Sequence, residues 1–467
     1  MWTDGLGLTL RLPHVTDKVL DLRRDCEFNM RVTKAHWNEE EHRWDVTAGP
    51  PGQERRVRTK HIVFCLGFAS KVNWPTVEGL DQFKGEIHHS GNWPAGVEAA
   101  HLSGKKVAVV GSGASGVQIA QEIGPHVKEM SVYIRTPNLC LPMKNYKTSP
   151  ESQEIFKDIY ADIFKKRWQT FGGFHYDFDY LPWDRHSPHE RELFYEELWK
   201  RGGFHFWLET YIDVYYSKDC NRTAYDFWQK KTASRIKDQK KRDILVPEEW
   251  PHTFGTVRPS LETRYYEVLD QDNVEVVDAK TDPIARFTEG GIQQKSGKET
   301  TFDFIALATG FDSHTGGFKQ IDIRGQNGMP LTEKWQNGCN SYLGLTTSGF
   351  PNLFFLYGPH GPTAYSNGPS TVEVQTEWVT KCIDHLLKNG IDSIEPEVEA
   401  EADFTKHIDE LSAATLFHES HGWYMGRNVP GKPVQALNFT GGIPLYAKEL
   451  AESAEAGYKG FKLKGRR

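Results

Sequence analysis

Lys106-Val-Ala-Val-Val110-Gly111-Ser-Gly113-Ala-Ser115-Gly116 reads as a strand, a glycine turn and the start of a helix. Val107 to Val110 form an apolar run suited to a buried parallel strand. Gly111 permits the tight turn, Gly113 lets the backbone approach a pyrophosphate, and Gly116 lets helix pack on strand. The helix runs through Val117, Ile119, Ala120 and Ile123 to Gly124, and its first N–H groups, around Ser115, face an anion. A second strand follows, Met130 to Ile134, and that context turns a common glycine pattern into a dinucleotide site. At its end, where an NAD site would place an acid, stand Arg135 and Thr136. A guanidinium there suits a 2′-phosphate, so NADP is expected over NAD.

Upstream lies Phe83-Lys-Gly85-Glu-Ile-His-His89-Ser-Gly-Asn-Trp93-Pro94. From these residues alone the segment is an interdomain linker with a packed histidine. Its Phe-x-Gly-x-x-x-His-x-x-x-Trp-Pro pattern resembles the fingerprint of the Baeyer–Villiger monooxygenases, matching at Phe83, Gly85, His89, Trp93 and Pro94. The resemblance extends from about Val19 to Leu463. It implies a soluble α/β enzyme that uses FAD and NADPH to convert a ketone and molecular oxygen to an ester or lactone. A ketone of secondary metabolism is the family-level expectation.

Composition agrees with a cytoplasmic enzyme. The 467 residues are enough for two or three domains, and 56 basic against 63 acidic residues leave a net charge of −7, with no general pull toward nucleic acid. The six cysteines (26, 65, 140, 220, 339, 382) include no Cys-x-x-Cys pair, which excludes a zinc framework of that kind and suits a reducing compartment. No metal ligand set is expected. No run reaches the length of a membrane span. Oligomeric state is left open.

In chain order, residues 1–18 show no clear period. Strands are expected at Phe28–Ala35, Arg43–Thr47 and Arg55–Thr59, a β-meander, then an apolar strand at His61–Leu66. A second set of short strands begins at Val274–Val277 and ends in Phe302–Leu307, followed by Thr309-Gly310-Phe311. The two sets look like two Rossmann-like domains, but only the second has a glycine turn upstream. The first is therefore expected to be N-terminally truncated. Between 149 and 242 the chain reads as a helical insertion, with Ile155, Phe156, Ile159, Tyr160, Ile163, Phe164 and Trp168 expected as a core-facing stripe. The basic run Lys230 to Arg242 is expected to be a solvated helix face. Three regions result: 1–95, a remnant of the FAD domain with the fingerprint; 96–312, the NADP domain with its insertion; and 313–467, a return to the FAD domain.

The resemblance also assigns roles. Gly255-Thr-Val-Arg258, followed by Tyr265-Tyr266-Glu267, matches the family's active-arginine segment, so Arg258 would stabilise a flavin peroxide and contact the nicotinamide. His89 would act on conformation, without proton transfer. Asn367, at the start of a helix from Ser370 to Leu387, would face the flavin ring. Gly422 to Lys432, with Trp423, resembles a mobile segment covering the nicotinamide. Three departures stand out: Val257 replaces a lysine that helps hold the 2′-phosphate, Cys65-Leu66-Gly67 replaces a smaller turn, and the flavin's own glycine motif and the family's aspartate have no counterpart here. The expectation is weak flavin binding and poor solubility for the chain alone. Two other readings stay open: a degenerate flavin-free NADP-binding protein or isomerase, and a nitrogen- or sulfur-oxidising flavin monooxygenase.

Overall fold

The computed structural model describes residues 18–362 and 366–465, so most of the featureless tail lies outside the described residues. The chain opens with the expected meander, β1 (Val32–Asn38), β2 (Arg43–Ala48) and β3 (Arg55–Thr59), followed by β4 (Ile62–Phe64). Trp37 and Trp44 are cross-strand partners, both buried, and the Trp44 indole N–H donates to the Pro351 carbonyl at 2.8 Å. The first strand starts four residues later than expected because Phe28 is left 63% exposed and adds nothing to a core.

Next come β5 (Glu86–His89), β6 (Lys106–Val110), α1 (Ala114–Ile123) and β7 (Glu129–Ile134). The two-residue strands β8 (Leu141–Pro142) and β9 (Leu261–Glu262) pair in parallel. They form the stem of the helical insertion, which includes α2 (Pro150–Lys157), α3 (Tyr160–Arg167), α4 (Pro188–Arg201) and α5 (Lys218–Ala233). Ser149 caps α2 and Ser187 caps α4, each accepting from the N–H three residues on and each followed by proline.

Beyond the insertion run β10 (Val274–Asp278), β11 (Ile284–Phe287), β12 (Gly291–Gln294), β13 (Glu299–Thr301) and β14 (Phe304–Leu307). The main sheet has the order β10-β7-β6-β14-β5, parallel throughout. Val107, Ala108 and Val109 are fully buried in its middle, as a strand covered on both faces requires. Val274–Val277 thus joins this sheet as an edge strand, whereas the second meander is β11-β12-β13.

The chain then returns to the first half. β15 (Asp322–Arg324) lies parallel to β1, and β16 (Leu353–Phe355) parallel to β4. Among the described residues β16 is the one strand paired with β4. Helix α6 (Gly368–Lys388) and the hairpin of β17 (Ile391–Pro396) with β18 (Phe461–Gly465) complete the architecture. It is α/β, as expected.

Two expectations fail. The stripe on α2 and α3 is not core: Ile155 is 75% exposed, Phe164 54% and Phe156 50%. The helix breaks between Lys157 and Tyr160, and neither eight-residue piece has a buried residue. Helical period reports that a face is apolar, not that anything covers it. The basic run is also not uniformly solvated. Lys230 is exposed and pairs with Glu192, but the Arg235 side chain is only 22% exposed and binds Glu262 (1% exposed) and Glu267.

Candidate functional site

The glycine turn between β6 and α1 has the shape a pyrophosphate needs. Gly111 has φ +112°, and a Cβ there would sit 2.4 Å from the Ala308 carbonyl oxygen. A Cβ on Gly116 would sit 2.1 Å from the Gly111 oxygen, so both glycines are forced by contact. Gly113 differs: its hypothetical Cβ meets nothing within 4 Å. That open space, at a helix N-terminus with no side-chain cap, is a cradle for an anion. The Ser112 hydroxyl donates to the Thr136 carbonyl at 2.6 Å, tying the turn to the end of β7. Arg135 and Thr136 are exposed there, and Ser115 is half-buried at the helix start. The residues fit NADP.

The fingerprint is built into the same sheet. Phe83 is buried, and a Cβ on Gly85 would meet both its ring and the Asp303 carbonyl oxygen. His89 closes β5, fully buried, and its Nδ1 accepts the Gly91 N–H at 3.0 Å. Its ring touches Trp74 at 5.5 Å and Phe311 at 5.6 Å. Burial lowers its pKa against the pull of the Gly310 carbonyl, so the ring is neutral at working pH. The Trp93 indole donates to the Val97 carbonyl at 2.8 Å, which closes the turn through Pro94. Phe83 and Trp93 pack in different core clusters, and His89 lies between Trp74 and Phe311.

Arg258 lies half-buried beside the insertion. Asn221 fixes the segment leading to it, accepting the Phe254 N–H at 2.7 Å and donating to the Phe254 carbonyl at 2.9 Å. The guanidinium lies over the Phe204 ring at 5.7 Å, half-buried, with no carboxylate partner among the described residues. It is therefore not spent in a structural ion pair. Its positive charge reaches Tyr357 and Tyr424, opposing the burial that raises both phenol pKa values. A Cβ on Gly368, the first residue of α6, would meet the Tyr357 hydroxyl at 2.9 Å. Asn367 caps this helix, and its N–H donates to the Gly172 carbonyl at 2.7 Å. Arg258, Tyr357 and the α6 N-terminus thus converge. Tyr357 and His360 both have left-handed backbones, φ 54° and 63°, a strain concentrated in the loop after β16.

The segment after Gly422 reaches the same place. Ser420 donates to the Thr256 carbonyl at 3.1 Å, next to Arg258. Trp423 stacks on Phe68 at 5.2 Å and on His314 at 5.6 Å. Thr309 donates to the Asn73 carbonyl at 2.6 Å, and Gly310, at φ +83°, has open space where a Cβ would stand. Sequence reasoning missed Phe68, Phe204, Tyr357 and Tyr424. They are aromatics in glycine-bounded loops, without periodicity to mark them.

For FAD, the residues present fit the ring end: the α6 N-terminus, Tyr357 and the open turn at Gly67 (φ +67°). A second glycine turn of the strand-turn-helix kind is not among the described residues. The described residues hold no group of three or more His, Cys, Asp or Glu suited to a metal, and no helix long and apolar enough to cross a membrane.

A family model described as L-lysine 6-monooxygenase/L-ornithine 5-monooxygenase matches residues 19–170. The chain is 40% identical over 450 residues to cyclopentanone 1,2-monooxygenase of Comamonas sp. (strain NCIMB 9872), covering 96% of itself and 81% of that protein. It is 38% identical over 462 residues to FAD-binding monooxygenase acrE of Aspergillus aculeatus, covering 99% of itself and 77% of that protein. The closed crystal structure of cyclohexanone monooxygenase superimposes with TM-score 0.92 at 34% identity, over 98% of this chain and 84% of that one. Its open crystal structure gives 0.85 at 33% identity, over 96% and 82%. The OTEMO complex with FAD and NADP (form 3) gives 0.91 at 34% identity, over 97% and 84%.

Proposed function

The chain belongs to the Baeyer–Villiger monooxygenase family, and from that membership we infer an enzyme that uses FAD and NADPH to insert one oxygen atom beside a ketone carbonyl. One observation in its own geometry carries the reading: Arg258 is a cleft cation without a carboxylate, placed against Tyr357 and the α6 N-terminus.

When bound, NADPH supplies a hydride and FAD activates molecular oxygen. The chain's own residues do the rest. The α1 N-terminus and Gly113 would hold the NADP pyrophosphate, and Arg135 the 2′-phosphate. Arg258 would hold negative charge in the cleft without giving up a proton, because a guanidinium stays charged at any working pH. The α6 N-terminus adds a second positive pole. Tyr357 and Tyr424, whose pKa values burial raises, would remain neutral hydrogen-bonding groups. Trp423 and Phe68 would exclude water from the nicotinamide side. His89, neutral and buried, would hold the junction and move no proton.

The same reading divides the chain at 1–95, 96–312 and 313–467, although the β5 stretch of the first region adds to the sheet of the second, and places the enzyme in the cytoplasm, which suits six cysteines that are all free. The test is product analysis with a panel of cyclic and open-chain ketones. Ester or lactone formation in the wild type, lost in Arg258→Ala and not restored in Arg258→Lys, supports the assignment. A sulfoxide or hydroxylamine as the main product, or near-normal ester yield from Arg258→Ala, rejects it.

A further inference from the structure

Gly422 to Lys432 is held to the rest of the molecule by four residues in a row, Phe311 to His314. The Lys432 ammonium donates to Asp312 Oδ1 at 2.8 Å and to the Ser313 carbonyl at 2.6 Å. Asn428 Nδ2 donates to the Phe311 carbonyl at 2.8 Å. The Ser313 hydroxyl approaches the Trp423 carbonyl at 3.4 Å, and the His314 ring lies against the Trp423 indole. Every residue of the strip engages the loop.

The ion pair is the strongest of these contacts. The side chain of Lys432 is 6% exposed and that of Asp312 10%. Burial alone would raise the Asp312 pKa, but Lys432 and Lys71, whose ammonium lies 3.2 Å from Oδ2, outweigh it and keep the carboxylate ionised. Lys71 is 39% exposed and stays with Asp312 however the loop moves, because the Asp312 N–H donates to the Lys71 carbonyl. Asp312 is thus held from the body of the protein and offers its free oxygen to the loop. A buried charge that loses its partner is costly, so this pair resists opening.

We propose that Phe311–His314 is the docking strip for the loop from Gly422 to Lys432, and that the Lys432–Asp312 pair latches it, which positions Trp423. The inference rests on reading that loop as the cover of the nicotinamide, but the latch itself is measurable without nucleotide.

The assay is limited trypsin digestion of the full chain, scoring the fragment that begins at Asn428, released by cleavage after the exposed Arg427. Lys432 precedes Pro433, a bond trypsin does not cut, so substituting Lys432 removes no site. Without nucleotide, Lys432→Met and Asp312→Asn should each speed this cleavage about tenfold or more, and Lys432→Arg should stay near wild type. Adding NADP+ should slow cleavage in the wild type and much less in Lys432→Met. Wild-type cleavage after Arg427 in both Lys432→Met and Asp312→Asn overturns the latch. So does acceleration at all tryptic sites alike, which reports general destabilisation. If the variants differ without nucleotide but NADP+ changes nothing, the latch stands and the covering role fails.

Discussion

Replacing Arg135 with alanine should separate NADP+ from NAD+ binding. The side chain is exposed at the end of β7 and has no acidic partner among the described residues, so its loss should barely touch stability. Its target is a 2′-phosphate carrying close to two negative charges. In a solvent-like dielectric, one charge pair at about 4 Å is worth about 1 kcal/mol, so the contact is worth about 2 kcal/mol. That is about a 30-fold loss of NADP+ affinity, with NAD+ unchanged. Val257 stands where the family resemblance leads one to expect a second cation, so this one contact would carry the preference. It should shrink as salt rises, since the pair is screened. Calorimetric titration of both nucleotides at low and moderate ionic strength is the assay. Equal losses for NADP+ and NAD+, or none for NADP+, would refute the placement of the 2′-phosphate at Arg135.

Other outcomes follow from the same geometry. Gly113→Ala should melt like the wild type yet bind NADP+ poorly, whereas Gly116→Ala should lower Tm because its Cβ would lie 2.1 Å from the Gly111 oxygen; paired melting and titration check this. Arg235→Met leaves the Glu262 carboxylate buried without its cation and should destabilise the chain by about 3 kcal/mol in denaturant unfolding. Acid should weaken the fold well before carboxylates protonate. Burial lowers His360 and His61 to about 4 and His314 to about 3, from 6.5. Histidines depressed in the folded state stabilise it above pH 6.5, and that stability is lost as pH falls toward 4. For fully buried His360 the loss approaches about 3 kcal/mol, and a Tm that stays flat from pH 7 to about 4.5 would contradict the burial argument.

The parts legible in the sequence were those fixed by local chain geometry. In the turn at Gly111, Gly113 and Gly116 the Gly116 contact with the Gly111 oxygen lies within one strand-turn-helix unit, and Gly111 also abuts the Ala308 carbonyl after β14, yet the spacing of all three shows in eleven consecutive residues. Arg258 was proposed from the residues beside it in sequence, but the groups the fold brings to it were not. Tyr357 comes from the loop after β16, Tyr424 from the loop after Gly422 and Phe204 from the insertion, and only the tertiary fold brings them to one guanidinium. The stripe from Ile155 to Phe164 was misread for a related reason. Its spacing is helical, as the structure shows, but exposure depends on what lies opposite, and spacing carries no information about that.

β5 is an edge strand of the nucleotide sheet, paired residue for residue with β14 from Glu86 to His89. A strand so bonded cannot turn independently of its sheet, so the fingerprint must ride with the nucleotide half as a rigid handle. Any bending between the halves would fall where the chain crosses between them. The crossings run side by side, joined by the Val72–Phe311 bridge and by the Asn73 N–H to Gly310 carbonyl bond. Each contains a left-handed glycine, Gly67 and Gly310, with empty space where a side chain would begin. Were the halves to swing, these two glycines would act as paired pins, and a spectroscopic label on the fingerprint would report the arc they set.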